Sequence, residues 1–505
     1  MRVLIRADAS IAIGSGHIAR CMTLAEVLRK DGAEVVFACR QLPGHLLQRL
    51  DEQGFVAYPL PQMYPSATVQ APEPVVDIEA PLPWQADIDA LAAVLGAQAR
   101  FDWLIVDHYG LDARWEAAAR QFADRLMAID DLANRPHAVD VLLDQNFSAQ
   151  AVDQAYAPWI GAQCKAMLGP RFALLREQFH CAPIQIRPQV KRVLVNFGGF
   201  DAARQVHAAM LALGSFPELE VDFVAGLHNP DWDAMSRLVA DRPHWRLHAL
   251  VRDFFRLLQQ ADLFIGAGGG TTWERAALGV PTICVSVANN QALNAQLLAQ
   301  AGGHLYLGPH SSLDRQRLID AIAVMCANRE LRHSFAARSH ALVDGQGARR
   351  VAAALLAPVL ALRLATAKDA RLLFEGRNAD LVRRWAFNSE PIDWDSHLRW
   401  FEQTLADEQR LLLIAHTAQG PIGVLRYDLR GEHAEVSVYL MQGQAGFGWG
   451  RALLDSGERY VRRHWPQVRV IEARVMADNE ASFQLFRKAG YVQADCHFQR
   501  VISDE

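Results

Sequence analysis

Short apolar runs and amphipathic stretches alternate along the first part of the chain. RVLIRAD from Arg2, AEVVFACR from Ala33, DWLIVDH from Asp102 and RLMAID from Arg125 are rich in Val, Ile and Leu and predict strands. Between them the apolar spacing predicts helices, among them Ile18–Arg29 and Leu111–Phe122. A second alternating series runs through KRVLVNFGG, LEVDFVAG, HWRLHAL, DLFIGAGGG, PTICVSV and HLYLG. Strands that alternate with helices pair in parallel, so two doubly wound, Rossmann-like α/β domains are expected, at 1–180 and 190–355. Seven prolines between Pro59 and Pro83 predict a long surface loop rather than a regular element. The joint at Cys181–Val190 holds Pro183 and Pro188 and shows no periodicity.

A break near Leu356–Leu364 changes the pattern. Helices come first, and LLLIAH, PIGVLRYDL and AEVSVYLM follow at hairpin spacing. A Gly-Trp-Gly turn, a helix, VIEARVM, another helix and a last strand complete the series. This predicts a third domain at 360–505, α+β with a largely antiparallel sheet.

Composition narrows the function classes. A chain of 505 residues suits about three domains. With 51% hydrophobic and 21% charged residues, sizeable cores are expected rather than disorder. A net charge of -5 argues against a general nucleic-acid binder. The seven cysteines (Cys21, Cys39, Cys164, Cys181, Cys284, Cys326 and Cys496) are scattered and form no CxxC pair, which points to a reducing cytoplasm rather than a disulfide framework or zinc knuckle. MRVLIRAD opens as a strand without the apolar core of a signal peptide, and no run approaches the ~18 apolar residues of a membrane span. No membrane partner is expected.

The first chemical signal is IGSGHIARC, Ile13–Cys21. Gly14 and Gly16 stand between a strand and a helix, where the backbone can approach an anion and free N–H groups can face it. His17 there is placed either as a general base or as a capping residue. The second is GAGGGTTWERAALGVP, Gly266–Pro281, whose glycines and threonines suit a diphosphate. Glu274, one turn further on, can accept the hydroxyls of a ribose or simply face solvent. Gln291 and Asn294 lie three apart on one helix face, as ligands or as ordinary polar residues.

Taken together, Arg6, Asp8, Ser10, Ile13, Gly14, Gly16, His17, Arg20 and Cys21, with IDDLANRPH, DVLLDQN, LGPRFALLREQF and NFGGFD, resemble the UDP-2,4-diacetamido-2,4,6-trideoxy-β-L-altropyranose hydrolases of pseudaminic acid biosynthesis. The resemblance covers about residues 1 to 355 and implies a two-domain glycosyltransferase-B fold. It implies that His17 activates water at the anomeric carbon. It further implies that Asp8, Gly14, Gly16, Arg20, Gly198, Gly199, Gly268, Gly269, Thr271, Thr272, Glu274, Gln291 and Asn294 hold the UDP-sugar. Such a reaction needs no metal cluster, and none is expected. The loop after Gly199 departs from the family pattern, with Phe200, Asp201 and Arg204 in it.

In the last third, Gln444–Tyr460 carries Gly446, Gly448 and Gly450 at a helix start, with Arg451 adding positive charge for a pyrophosphate. DNEASFQLFRKAGY follows downstream. In this order and spacing they resemble the GCN5-related N-acetyltransferases. The likeness implies an acetyl-CoA site at Leu440, Gly446, Gly448, Gly450, Arg451 and Asn479. Ala445 stands where that family's loop opens with Gln or Arg. Upstream, Arg377, Asn378, His397 and Trp400 resemble the acetyltransferase of the same pathway, which implies that Arg377 and Asn378 meet the amino sugar. Many relatives carry a Leu-Tyr pair whose hydroxyl protonates the leaving thiolate; here the pair is Leu485-Phe486. Glu435 is a candidate to take the amine proton through water, and Tyr439 is an alternative donor; either can instead be an ordinary strand residue. A UDP-sugar hydrolase joined to an N-acetyltransferase is therefore expected, with small-molecule substrates. The rival readings are a sugar transferase in place of the hydrolase, or a nucleotide-sugar sensor without activity.

Overall fold

A computed structural model describes residues 1–11, 13–62, 81–96, 99–147, 155–180, 184, 186–198, 201, 203–226, 229–249, 251, 253–357, 360–494 and 497–501. The chain divides into two compact units: Met1–Arg29 with Ala33–Ala348, and Arg349–Glu505 with Lys30–Gly32.

The first unit holds two parallel sheets. Strands β1 (Arg2–Ala7), β2 (Glu34–Arg40), β3 (Val56–Leu60), β4 (Phe101–Asp107), β5 (Ala123–Ile129), β6 (Val141–Asp144) and β7 (Lys165–Leu168) pair in the order β3-β2-β1-β4-β5-β6-β7. Strands β8 (Arg192–Asn196), β9 (Glu220–Val224), β10 (Trp245–His248), β11 (Leu263–Ala267), β12 (Thr282–Ser286) and β13 (Leu305–Pro309) pair as β10-β9-β8-β11-β12-β13. Strand order reverses between β1 and β4 and between β8 and β11, the places where such sheets open a crevice at their carboxyl ends.

The central strands are apolar on both faces because helices cover both. Leu4, Leu104 and Leu126 are fully buried with Leu91 and Trp115 of the covering helices. Burying each such side chain stabilises by about 1.5–3 kcal/mol. Beneath them lies a charged cluster. Arg6 donates to Asp8 at 2.6 Å and to Asp87 at 2.7 Å, Arg40 also pairs with Asp87, and the Trp115 indole donates to Asp87 at 2.9 Å. Buried charges persist only when paired in this way.

The structure corrects several expectations. Pro59 lies inside β3, because an edge strand tolerates a residue without an N–H. Residues 63–80, most of the expected proline loop, lie outside the described residues. The helix expected at Leu111–Phe122 is shorter, Ala113–Ala119, because Asp112 caps it by accepting from Arg114 N. Strands β6 and β7 extend the first sheet beyond the strands expected from the pattern.

The second unit carries β14 (Ala361–Leu364), β15 (Arg410–Thr417), β16 (Gly420–Arg430), β17 (His433–Leu440), β18 (Val470–Arg474), β19 (Val492–Ala494) and β20 (His497–Val501), in the order β14-β15-β16-β17-β18-β20-β19. Among the described residues of this unit, only β17 and β18 pair in parallel. Strand β14 occupies the expected break, and the helix Gly347–Leu356 falls almost wholly in this unit rather than in the preceding one. Among the described residues no helix is long and apolar enough to cross a membrane.

Candidate active sites

The first site forms where β1 and β4 end side by side. Gly14 takes φ +83°, a left-handed turn closed to most side chains, and its N–H donates to Ser10 O at 2.8 Å. The helix Gly16–Lys30 starts at once, so His17 stands in its first turn. Asp107, the last residue of β4, is completely buried and lies 2.5 Å from His17 Nδ1. With Nδ1 turned to that carboxylate, Nε2 is the ring nitrogen left for proton exchange.

Arg20, one turn further along the helix, grips Asp107 with two bonds of 2.7 Å and reaches Asp131 at 2.6 Å. Burial pushes the Asp107 carboxyl up, but Arg20 and His17 outweigh it and hold it well below the usual carboxylate range. Tyr109 donates to the same Asp131 oxygen at 2.6 Å, and its ring meets His17 edge-on at 4.7 Å. The other oxygen of Asp131 is buried and has no partner among the described residues.

The second sheet contributes from the Asn289–Gln300 helix. Asn290 donates to the Tyr109 hydroxyl at 3.3 Å. Gln291 packs beside Gly268 and Gly269 and accepts from Val287 N at 3.2 Å. Asn294 is turned elsewhere: it is buried and accepts from Phe147 N at 2.9 Å. The Gly268–Gly270 turn follows β11 and leads into the helix Thr271–Ala277. The hydroxyl of Thr272 is buried there without a partner among the described residues, which suits a ligand oxygen. Glu274 lies 3.5 Å from Arg176, and burial pushes its carboxyl up against that cation.

Some expected contacts are already occupied. Asp8 is 1% exposed, pairs with Arg6 and accepts from Arg40 N at 2.7 Å. It supports the site from beneath, as Arg20 does through Asp107. Gly198, at φ +103°, accompanies Asn196 at the end of β8. Gly199 and Phe200 lie outside the described residues. Asp201 caps Gln205 and Val206, and Arg204 pairs with Asp231, so both serve the loop itself. Sequence reasoning missed Asp107, Tyr109, Asp131 and Asn290. A carboxylate ending a predicted parallel strand, in DWLIVDH, was the available signal for the first.

The second site forms where β17 and β18 part. Their parallel register ends at Val436 opposite Ala473, so Ser437–Leu440 lack a strand partner on that side among the described residues. The following turn has Gly446 at φ +85° and Gly448 at φ +90°, and the helix Trp449–His464 begins with no side-chain cap. Its first N–H groups are therefore open to an anion. Gly450 serves packing instead of loop freedom, since a Cβ there would come 3.0 Å from Leu485. Arg451 is exposed and lies 3.4 Å from Asp455. Asn479 caps the Glu480–Lys488 helix by accepting from Ser482 N at 3.1 Å.

Glu435, Ser437 and Tyr439 alternate onto one face of β17. Glu435 lies 3.1 Å from Arg430 and 3.4 Å from Arg474. Burial pushes the Tyr439 hydroxyl above the usual tyrosine range, and Gly376 lets the Ala370–Asn378 helix close on its ring. Arg377 donates to Asn388 O at 2.8 Å, and its Nη1 is buried without a partner among the described residues. Asn378 is committed to the Ile392 backbone through two bonds of 2.9 Å, which fixes the 388–393 loop. His397 is a core residue whose Nε2–H donates to Ala370 O at 2.9 Å and whose ring stacks on Phe401. Phe486 is 4% exposed and packs edge-on against Tyr491.

The sheets and turns define the class: two Rossmann-like domains of the glycosyltransferase-B kind followed by a GCN5-related acetyltransferase domain. Residues 250–351 match the glycosyltransferase family 28 C-terminal domain, and residues 360–492 match the acetyltransferase (GNAT) domain. The chain is 24% identical over 304 residues to the UDP-2,4-diacetamido-2,4,6-trideoxy-β-L-altropyranose hydrolase of Campylobacter jejuni, covering 60% of this chain and 97% of that protein. It is 28% identical over 192 residues to the spore coat polysaccharide biosynthesis protein SpsG of Bacillus subtilis, covering 37% of this chain and 57%, little more than half, of that protein. The spermidine N-acetyltransferase of Vibrio cholerae, solved with CoA and spermine, aligns with a TM-score of 0.27 at 17% identity over 28% of this chain and 95% of its own. The chain thus joins a region similar to nucleotide-sugar transferases and hydrolases to a region that matches the acetyltransferase (GNAT) domain.

Proposed function

We propose that the chain carries two consecutive activities on one nucleotide sugar. The second unit transfers acetyl from acetyl-CoA to the 4-amino group of UDP-4-amino-4,6-dideoxy-N-acetyl-β-L-altrosamine. The first unit then hydrolyses UDP-2,4-diacetamido-2,4,6-trideoxy-β-L-altropyranose to the free sugar and UDP, as in pseudaminic acid biosynthesis. The observation that carries the reading is the buried Asp107 against His17 at the mouth of the glycine turn, together with the Campylobacter hydrolase relative.

His17 Nε2 takes a proton from water as its oxygen bonds to the anomeric carbon, and the bond from that carbon to the UDP oxygen breaks. Asp107 stabilises the imidazolium that forms. Gly268, Gly269, Thr271 and Thr272 receive the diphosphate, and Glu274 the ribose. In the second unit, the Gly446–Gly448 turn receives the CoA pyrophosphate, and the open edge of β17 at Ser437–Leu440 receives the extended thioester arm. Glu435 or Tyr439 handles the protons of transfer.

Incubating the chain with the 4-amino UDP-sugar and acetyl-CoA, and following acetylation and UDP release, tests both halves. Product carrying the acetyl group, free sugar and UDP are expected. Sugar transfer to an acceptor other than water is the second reading, favoured by the family 28 match. UDP released only when an acceptor is added would establish it. Absence of turnover in both halves would leave the sensor reading.

A further inference from the structure

The acetyltransferase match begins at residue 360, yet two cations upstream of it touch the turn that leads into the Trp449–His464 helix. Arg350 Nε donates to Gly446 O at 3.1 Å, and the guanidinium of Arg349 lies 4.2 Å over the ring of Phe447. Both stand at the start of the Gly347–Leu356 helix, within the same compact unit as the turn. Arg350 is 9% exposed and Phe447 5%, so the Arg350–Gly446 bond is sheltered from solvent screening, while Arg349 reaches the buried ring from the surface. Ala445, immediately before Gly446, supplies no side-chain donor or charge of its own.

We propose that Arg349 and Arg350 are positioning residues of the acyl-CoA site, supplied by the connecting helix from outside the acetyltransferase domain. The inference rests on the reading that this unit binds acyl-CoA. Gly446 and Gly448 take left-handed φ values that leave the turn many alternatives when nothing holds it. Arg350 fixes the Gly446 carbonyl, and Arg349 clamps Phe447 between the two glycines. The turn is then held with its amides toward the anion before ligand arrives, which lowers the ordering cost of binding. The same cations add a positive field that opposes the diphosphate's charge.

The full chain should be titrated with CoA by calorimetry as wild type, Arg349→Met, Arg350→Met and Arg350→Met with Ala445→Arg. Each Met variant should raise the CoA Kd by about tenfold, a loss typical of a preorganising contact. The KM for acetyl-CoA should rise with it while kcat changes little, and Ala445→Arg should recover part of the affinity. Arg349 is exposed, so its variant keeps the fold even where Arg350→Met melts early, and its affinity then decides. CoA affinities within twofold of wild type in the folded variants would overturn the proposal. A wild-type chain that does not bind CoA at all would overturn the acyl-CoA reading instead.

Discussion

His17 Nδ1 faces Asp107 Oδ1 at 2.5 Å, across 90 residues of sequence, and the same carboxylate is held from its other side by Arg20. The imidazole is therefore oriented before any substrate arrives. His17→Asn keeps a polar side chain of similar size but removes the base. Hydrolysis should fall by about 100-fold or more, the usual worth of a general base, while acetyl transfer stays unchanged. Rates of UDP release and acetylation on the same preparation measure this, and near-wild-type hydrolysis would remove His17 from the mechanism.

Asp107→Asn should lower both hydrolysis and stability. The amide leaves the buried Arg20 with Asp131 as its remaining anion, and breaking the buried pair costs up to about 3–5 kcal/mol. The sign of the pH dependence follows from the depressed folded-state carboxyl. The unfolded carboxyl titrates near about 3.9, so the unfolded chain binds more protons as pH falls. Stability from Asp107 is complete above about pH 4 and is lost as pH falls through lower values. Thermal melts of the two proteins from pH 3 to pH 7 should converge on the acid side. A gap that stays constant, or widens in acid, would show that the ion pair is not its source.

Asp144 behaves in the opposite direction. Burial first, and then Asp131 nearby, push its carboxyl up to about 7. It accepts from Asn146 N at 2.8 Å and from the Tyr156 hydroxyl at 3.0 Å. Because the folded carboxyl titrates above the unfolded one, ionising it opposes folding, and stability falls as pH rises from about 4 to about 7. Asp144→Asn can keep the bond from Asn146 and never ionises. Its melting temperature relative to wild type should improve between pH 5 and pH 8; a difference independent of pH would contradict the raised carboxyl.

The two glycine turns and His17 were legible because glycine punctuation between a strand and a helix is a local signal. Asp107, Tyr109 and Asp131 were not, since their meeting with His17 depends on the pairing of β1 with β4 and on the connections after β4 and β5. The bond that occupies the Asn294 carboxamide oxygen was not legible for a related reason, since its partner, Phe147, belongs to the other sheet's connections. Pro59 hid an edge strand, and Gly450 looked like a flexible turn residue although it makes room for Leu485.

Glu435 is a test of the second site's proton path. It lies on the face of β17 that carries Tyr439, but Arg430 and Arg474 flank its carboxylate. If it accepts the amine proton through water, Glu435→Gln should slow acetyl transfer, most visibly at lower pH, where more of the amine must first lose a proton. Hydrolysis should be unaffected. Acetylation rates equal to wild type across pH would assign Glu435 to ion pairing and leave Tyr439→Phe as the next variant.

Dividing the chain tests where the second unit begins. The sequence pattern places the cut near residues 359 and 360, whereas the compact units divide at Ala348 and Arg349. Gly345 and Gly347 pack against the Phe179 and Ala173 backbone of the first unit with no room for a Cβ, at 2.5 and 2.2 Å, so the first fragment needs its chain through 348. A fragment of 349–505 retains Arg349 and Arg350 on the Gly446–Phe447 turn, and one of 360–505 loses both. It also loses Val351 and Leu355, which are fully buried apolar residues whose removal costs about 1.5–3 kcal/mol each. The 349–505 fragment should therefore be soluble, melt cooperatively and acetylate the 4-amino sugar, while 360–505 should melt lower and bind CoA more weakly. Residues 1–348 should release UDP without acetylating. Equal melting temperature and CoA affinity in the two shorter fragments would restore the boundary at 360 and detach the connecting helix from the acetyltransferase.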